Sequence, residues 1–349
     1  MSVEPLRLGI VGCGAISERH GPAAALTPAV SIVACCDVRR DVAEQWRDRF
    51  GCERAYDDYL SMVREHELDG VILATWPNLH REQVLGCLDA GVRYILCEKS
   101  LALTGAEALE IWQAAEERDA LVVEGYMYRH HPAFQSLLEL VESGRTGSVD
   151  SVWAAFSLFD PADAPPDDPA LDWRRRSDRA GGVPWDLAGY CLDAANFVAP
   201  SPPKRAFAVA GTSDVYRTID RLYALVEYED GFVAMIESSL RSHFNHELRI
   251  AGSDGRAVLP VAWRIDHPSE VLFERSVGWG VFETERIPIP DTNAYVVQFE
   301  AFAAAARGEA PPARRLCESV VTAFTLDALL ESASANAPVD VRIPEGVAA

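Results

Sequence analysis

Arg7-Leu8-Gly9-Ile10-Val11-Gly12-Cys13-Gly14-Ala15-Ile16-Ser17 is the stretch on which the fold turns. An apolar run ends in Gly-x-Gly and a helix-like stretch follows, which reads as a first β-strand turning into a first α-helix. Gly12 permits the tight turn. Gly14 lets backbone N–H groups come close to a pyrophosphate facing the positive end of the helix. Gly12, Gly14, Ala15 and Ile16 are therefore expected to hold a dinucleotide. The third glycine of G-x-G-x-x-G is replaced by Ser17, so the fingerprint is incomplete and needs support from elsewhere. Asp37 supplies it. It ends the next apolar run, Val30-Ser31-Ile32-Val33-Ala34-Cys35-Cys36, about 20 residues on, where a carboxylate binds the adenosine ribose hydroxyls. A solvated turn aspartate is the plain alternative. A carboxylate there repels a 2′-phosphate, which favours NAD, whereas Arg39 and Arg40 follow at once and would suit that phosphate. NAD is the expected cofactor, with NADP open.

Working outward, the chain of 349 residues is long for one core and suits two domains. A net charge of −21 argues against nucleic acid and against an anionic membrane surface as partners. The N-terminus runs into the first strand without a basic leader, and no apolar run is long enough to span a bilayer. Eight cysteines are scattered without a C-x-x-C pair, as for thiols in a reducing cytoplasm. No Cys and His set has metal-ligand spacing, and His243 and His246 fall on different faces of a strand. No metal is expected.

Strands ending near residues 75, 97 and 124 alternate with helices over 41–50, 56–65, 81–90 and 105–118. That alternation implies a parallel sheet covered on both faces. An N-terminal Rossmann dinucleotide-binding domain is therefore expected over 1–124. The remainder, 125–349, reads as an α+β substrate-binding and oligomerisation domain. It has helices over 132–142 and 184–198, an acidic Pro-rich loop over 161–169, and a largely antiparallel open sheet from six strand candidates between 205 and 273. Its last helices, 295–307 and 318–334, are free to pack back on the first domain.

Ligands of a Rossmann sheet bind at the C-terminal ends of its strands. Three features fall there: the glycine loop, the loop holding Thr75, Pro77 and His80, and Glu98-Lys99. Only Lys99 and Lys204 among the 32 basic residues are lysines. A lysine at that edge hydrogen-bonds a substrate oxygen and offsets negative charge as a hydroxyl is oxidised. A surface lysine at a strand end is the bland reading. Further on, Asp186 and Tyr190 are four apart and share one helix face, with Asp193 and Phe197 near the same stripe. Spacing alone fits a capping aspartate and a core tyrosine as well as a proton-transfer pair.

The chain resembles the glucose–fructose oxidoreductase, inositol dehydrogenase and rhizopine-catabolism (Gfo/Idh/MocA) family over nearly its full length. The likeness rests on Gly9-Ile10-Val11-Gly12-Cys13-Gly14, Ala74-Thr75-x-Pro77-x-x-His80, Cys97-Glu98-Lys99, Glu124 to Pro132 and Gly181-Gly182 to Tyr190. Ile250-Ala251-Gly252-Ser253-Asp254-Gly255 and Tyr295-x-x-x-Phe299-Glu300-x-Phe302 add to it. Met127-Tyr128-Arg129 and Asp186-x-x-x-Tyr190 are similar to the sugar-dehydrogenase and ketoreductase branch. The resemblance implies hydride transfer between a nicotinamide and a secondary alcohol or ketone of a carbohydrate-like substrate: a sugar, a cyclitol or a nucleotide-linked sugar. It implies that Lys99 orients the substrate oxygen, that Tyr190 gives or takes the proton and that Asp186 binds neighbouring hydroxyls. Glu98 and His80 would line the cofactor, Trp173-Arg174 would reach the nicotinamide, and Tyr126 and Arg129 would meet substrate. A homodimer or homotetramer is also implied.

The family's Glu-Lys-Pro is Glu98-Lys99-Ser100 here. The Lys99–Ser100 bond is expected to be cis, or trans with Lys99 still directed at the cofactor. This departure keeps a second reading open, a catalytically silent dinucleotide-binding sensor of the same fold. A glycosidase of similar fold ranks last, because its histidine-rich motif is absent.

Overall fold

The computed structural model describes residues 4–160, 172–263 and 269–347. The acidic loop read at 161–169 therefore lies outside the described residues. The chain forms two compact units, Met1–Met127 with Asn293–Leu316, and Tyr128–Thr292 with Cys317–Ala349.

The first unit carries strands β1 (Leu6–Val11), β2 (Val30–Cys36), β3 (Arg54–Tyr56), β4 (Gly70–Leu73), β5 (Tyr94–Glu98) and β6 (Leu121–Gly125). They form a parallel sheet in the order β3-β2-β1-β4-β5-β6. This doubly wound order reverses between β1 and β4, and a ligand crevice opens at such a switch point. β4 is buried along its whole length and β1 nearly so, the mark of strands covered on both faces. The helices α1 (Ser17–Ala25), α2 (Arg40–Phe50), α3 (Tyr59–Glu65), α4 (Pro77–Asp89) and α5 (Gly105–Glu117) connect them. A later helix, Ala294–Ala306, inserts Phe299, Phe302 and Ala303 into the same core as Leu8, Ile10 and Ile72.

Two boundaries differ from the sequence reading for physical reasons. The helix expected over 56–65 starts at Tyr59, because Tyr56 pairs with Cys36 as a strand and the Asp58 carboxylate caps the Ser61 N–H at 2.7 Å. The helix expected from 81 starts at Pro77, whose ring suits a first helical turn. His80 therefore sits in a helix, not a loop.

The second unit has strands β7 (Val149–Ser157), β8 (Pro203–Thr212), β9 (Ile219–Tyr228), β10 (Val233–Ser239), β11 (Leu248–Gly252), β12 (Gly255–Leu259), β13 (Ser269–Gly278), β14 (Val281–Ile289) and β15 (Val339–Asp340). Their order is β14-β13-β12-β11-β7-β10-β9-β8-β15, antiparallel except for the β7–β10 pair. In β9, Asp220, Leu222, Ala224, Val226 and Tyr228 are buried and alternate with more exposed residues, so one sheet face is covered. The helices α6 (Pro132–Glu142) and α7 (Gly189–Val198) pack against this sheet. The helix read over 184–198 is not uniform: Pro184–Ala188 forms a π-helical turn before α7 begins. Turns of this kind often lie at functional sites. β14 escapes the sequence reading because almost all of its side chains are exposed and leave no apolar alternation. No helix of the described residues is long and apolar enough to cross a membrane.

Candidate active site

The glycine loop is held from two sides. Gly12 has φ +93°, and its N–H donates to the Cys36 carbonyl at 2.8 Å. A Cβ on Gly12 would come within 2.6 Å of the Ala74 oxygen, so only glycine fits. A Cβ on Gly14 would meet nothing within 4 Å, which leaves open space on that side of the loop. Ala15 and Ile16 lead into α1, whose first turn receives no side-chain cap and so presents its dipole to an anion. Asp37 closes the arrangement, with one carboxylate oxygen accepting from the Cys13 N–H at 3.1 Å and the other from the Arg39 N–H at 3.0 Å. Arg39 is largely exposed, its Nε 4.0 Å from Asp37, whereas Arg40 pairs with Glu44 at 2.9 Å. An open cradle, an uncapped helix start and a carboxylate at the end of β2 fit a dinucleotide.

Lys99 follows β5 directly, and buried side chains fix the backbone around it. The Lys99–Ser100 peptide is cis. The Glu98 carboxylate accepts from the Lys99 N–H at 3.3 Å and meets His20 Nε2 at 2.8 Å. His80 Nδ1 lies 2.7 Å from the Ser100 carbonyl, and its Nε2 lies 3.2 Å from the Thr75 carbonyl. Burial pushes the His80 pKa below its usual range, so the ring is neutral and donates once. The shorter contact assigns that proton to Nδ1, by geometry. Glu124 accepts from the Leu101 N–H at 2.8 Å and pairs with the buried Arg314 at 3.1 Å. Thr75 is tied through its hydroxyl to Gln83 at 2.5 Å, and Pro77 is buried in the first turn of α4.

Four of the buried expected site residues are held by the protein's own groups. His80 is fully buried and Glu98 nearly so; both brace the Lys99 segment from within. Tyr126 is 1% exposed, with Arg314 stacked 4.9 Å over its ring. Arg129 is 2% exposed in the second unit, and its guanidinium is paired with Asp193 and Glu318, each at 2.8 Å. A guanidinium so neutralised is a structural counter-ion rather than an open anion site.

In the second unit, Asp186 lies on the π-helical turn and Tyr190 on the first turn of α7, and both are nearly buried. Trp173 and Arg174 form a short 3₁₀ turn capped by Asp172. Arg174 Nε reaches Asp186 at 2.6 Å and Nη1 reaches Asp172 at 3.2 Å. Burial opposes the charge on Arg174, but Asp186 and then Asp172 outweigh it and raise its pKa. Gly181 makes the approach possible: a Cβ there would stand 2.5 Å from the Trp173 carbonyl. The Asp186–Arg174 ion pair joins two expected site residues.

Sequence reasoning missed His20 and Arg314. Both act on the Lys99 segment through a carboxylate, and neither lies in a motif that marks chemistry.

A Rossmann sheet with a dinucleotide cradle and a braced lysine at its ligand-binding edge defines an oxidoreductase that uses a nicotinamide dinucleotide. Comparison with known proteins supports that class. Residues 6–126 match the model of the oxidoreductase family with an NAD-binding Rossmann fold, and residues 134–258 match the Gfo/Idh/MocA C-terminal domain. The D-xylose 1-dehydrogenase (NADP(+)) 2 of Haloferax volcanii is 31% identical over 96% of this chain and 98% of its own. The myo-inositol 2-dehydrogenase of Thermotoga maritima is 26% identical over 72% of this chain and 74% of its own. Among solved structures, a 3-ketoreductase from Actinomadura kijaniata in complex with NADP and TDP-benzene superposes with a TM-score of 0.84. It is 24% identical and covers 94% of this chain and 98% of its own, a likeness of fold. The chain belongs to the Gfo/Idh/MocA family of NAD(P)-dependent oxidoreductases. These relatives lend nothing to the silent-sensor alternative.

Proposed function

We propose that this protein transfers a hydride between NAD and a secondary alcohol or ketone of a sugar, cyclitol or nucleotide-linked sugar. The bound nicotinamide accepts or gives the hydride. Lys99 Nζ donates a hydrogen bond to the substrate oxygen and offsets the charge that develops on it. Tyr190 takes the hydroxyl proton in oxidation and returns it in reduction. Asp186, held by Arg174, accepts hydrogen bonds from neighbouring hydroxyls, and Trp173-Arg174 borders the nicotinamide. Glu98 and His80 hold the Lys99 segment, and Asp37 binds the adenosine ribose. The observation that carries this reading is the bracing of residues 98–101 by Glu98, His80 and Glu124, because a surface lysine needs no such support.

The working form is a homodimer or homotetramer in the cytoplasm. Val209, Tyr223, Leu225 and Met235 are cross-strand neighbours on the open sheet face and are 38–54% exposed, an apolar surface suited to a second copy. Light scattering tests the assembly.

The activity is tested by following nicotinamide absorbance with NAD and NADP against D-xylose, other aldoses, inositols and levoglucosan. Nucleotide-linked keto sugars are tested in the reductive direction. Lys99→Ala and Tyr190→Phe should each lower turnover by about 10²–10⁴ while leaving cofactor affinity within a few-fold. Turnover of no panel member by a folded, cofactor-binding protein overturns the carbohydrate reading.

A further inference from the structure

We propose that Tyr128, with Asp193 and Arg129 behind it, is a positioning residue for Tyr190. The proposal rests on the assignment of Tyr190 to proton transfer, and it adds the group that sets the orientation and charge surroundings of that phenol. The Tyr128 ring packs against the Tyr190 ring at 5.9 Å between centroids. Trp263 stands edge-on to Tyr128 at 5.0 Å, and Phe156 stands edge-on to Tyr190 at 5.3 Å, so both phenols lie in one aromatic cluster. The Tyr128 hydroxyl donates to Asp193, one turn beyond Tyr190 on the same helix. Tyr128 thus supports Tyr190 through its ring and grips the helix of Tyr190 through its hydroxyl.

Asp193 is fully buried, and its charge is answered on the spot. Arg129 Nε and Nη2 donate to its two carboxylate oxygens, each at 2.8 Å. Arg129 Nη1 reaches Glu318 at 2.8 Å, and the guanidinium stacks 4.3 Å from the Phe197 ring centroid. Three segments distant in sequence, around 128, 193 and 318, are locked together by charge-assisted hydrogen bonds. A core aromatic needs no such machinery, and hydrophobic residues pack as well without a buried ion pair. A proton-transfer phenol needs a fixed orientation, because small misplacements of a reacting group cost large factors in rate.

The charges around Tyr190 predict opposite effects for two substitutions. Tyr128→Phe removes a donor from Asp193, leaves that carboxylate less neutralised and disfavours a Tyr190 phenolate. Asp193→Asn removes one negative charge, leaves Arg129 paired with Glu318 alone and favours the phenolate. The other ionisable groups around α7 include Asp150 on β7, Glu237 on β10, Tyr228 on β9, whose hydroxyl donates to Asn196 of α7, Cys191 on α7 itself, His130 next to Arg129, His246 beside Phe156, Glu318 and the Asp186–Arg174 pair. Neither substitution removes any of these groups.

The test is the pH profile of sugar oxidation by the full chain, with the fastest sugar of the panel above, for wild type, Tyr128→Phe, Asp193→Asn and Tyr190→Phe. Tyr128→Phe should lower kcat about tenfold with KM within twofold, and move the limb on which activity rises to higher pH. Asp193→Asn should move that limb to lower pH. If Asp193→Asn does not fold, Tyr128→Phe, which keeps the ring, decides alone. A Tyr128→Phe enzyme with wild-type kcat and pH profile overturns the proposal, provided that Tyr190→Phe is inactive. A Tyr190→Phe enzyme as active as wild type removes the proton-transfer assignment itself, and the proposal with it.

Discussion

His80 Nδ1 lies 2.7 Å from the carbonyl oxygen of Ser100, so a fully buried imidazole holds the Ser100–Leu101 peptide, one beyond the Lys99–Ser100 bond. The ring links two strand ends, because its other nitrogen faces Thr75 O at 3.2 Å beyond β4. Fully buried, His80 braces the segment that carries Lys99, and the role proposed for Lys99 makes that brace matter to turnover. His80→Phe should fold with a loss of about 1–3 kcal/mol, because the Ser100 carbonyl loses its buried donor. Its kcat should fall at least tenfold, and His80→Gln, which keeps one donor, should recover part of it. Equal kcat in wild type and His80→Phe would separate the brace from catalysis.

Asp37 controls cofactor choice if its carboxylate meets the adenosine ribose. It is only 15% exposed and both its oxygens accept backbone N–H groups, so it is fixed in place beside the glycine loop. Asp37→Ser removes the charge that repels a 2′-phosphate and leaves the exposed Arg39 to attract it. The ratio of kcat/KM for NADP over NAD should rise about 10–100-fold, measured with one sugar at fixed ionic strength. A wild-type enzyme that already prefers NADP strongly would show that Arg39 dominates.

The alternation of strands and helices through residue 125 was legible in the sequence because parallel strands are apolar on both faces and leave unbroken runs. The glycine loop, Asp37 and Lys99 were legible for a related reason: they lie at the ends of those runs. The bracing was not. Glu124 stands in a motif, but its partner Arg314 comes from the far end of the chain, and periodicity says nothing about which distant charge it will meet. Arg129 shows the same blindness in reverse. An arginine beside a motif suggests an anionic ligand, yet its anions are Asp193 and Glu318 of the protein itself. The π-helical turn at Pro184–Ala188 was hidden because one extra residue in a turn barely disturbs the apolar pattern.

Acid should destabilise the fold through its buried histidines. Burial, with help from the Arg129 charge, pushes the His130 pKa down to about 4. The unfolded chain takes up that proton near pH 6.5. Between these values the unfolded state binds more protons, so stability is full above about pH 6.5 and declines as pH falls toward 4. His80 and His131 are shifted down as well, first by burial, and add to the same slope. His130→Gln should flatten the decline by about 2 kcal/mol between pH 7 and 4.5, read from urea unfolding at each pH. An unchanged slope would assign the acid sensitivity to other groups.

Arg314 and Glu124 form a buried ion pair at 3.1 Å whose removal should be felt twice, in stability and at Lys99. Both side chains are at most 4% exposed, so cutting one leaves the other charged and desolvated. Arg314→Met should cost about 3–5 kcal/mol of unfolding free energy. Glu124 also receives the Leu101 N–H, so an unpaired Glu124 that shifts or takes a proton disturbs the segment after Lys99. Adding Glu124→Gln to Arg314→Met removes the stranded charge, and the amide oxygen still accepts that N–H. The double variant should therefore recover more than half of the lost stability and most of the lost kcat. If stability returns while kcat does not, the carboxylate charge itself matters to Lys99. If neither returns, packing around Tyr126, on whose ring Arg314 stacks, outweighs the ion pair.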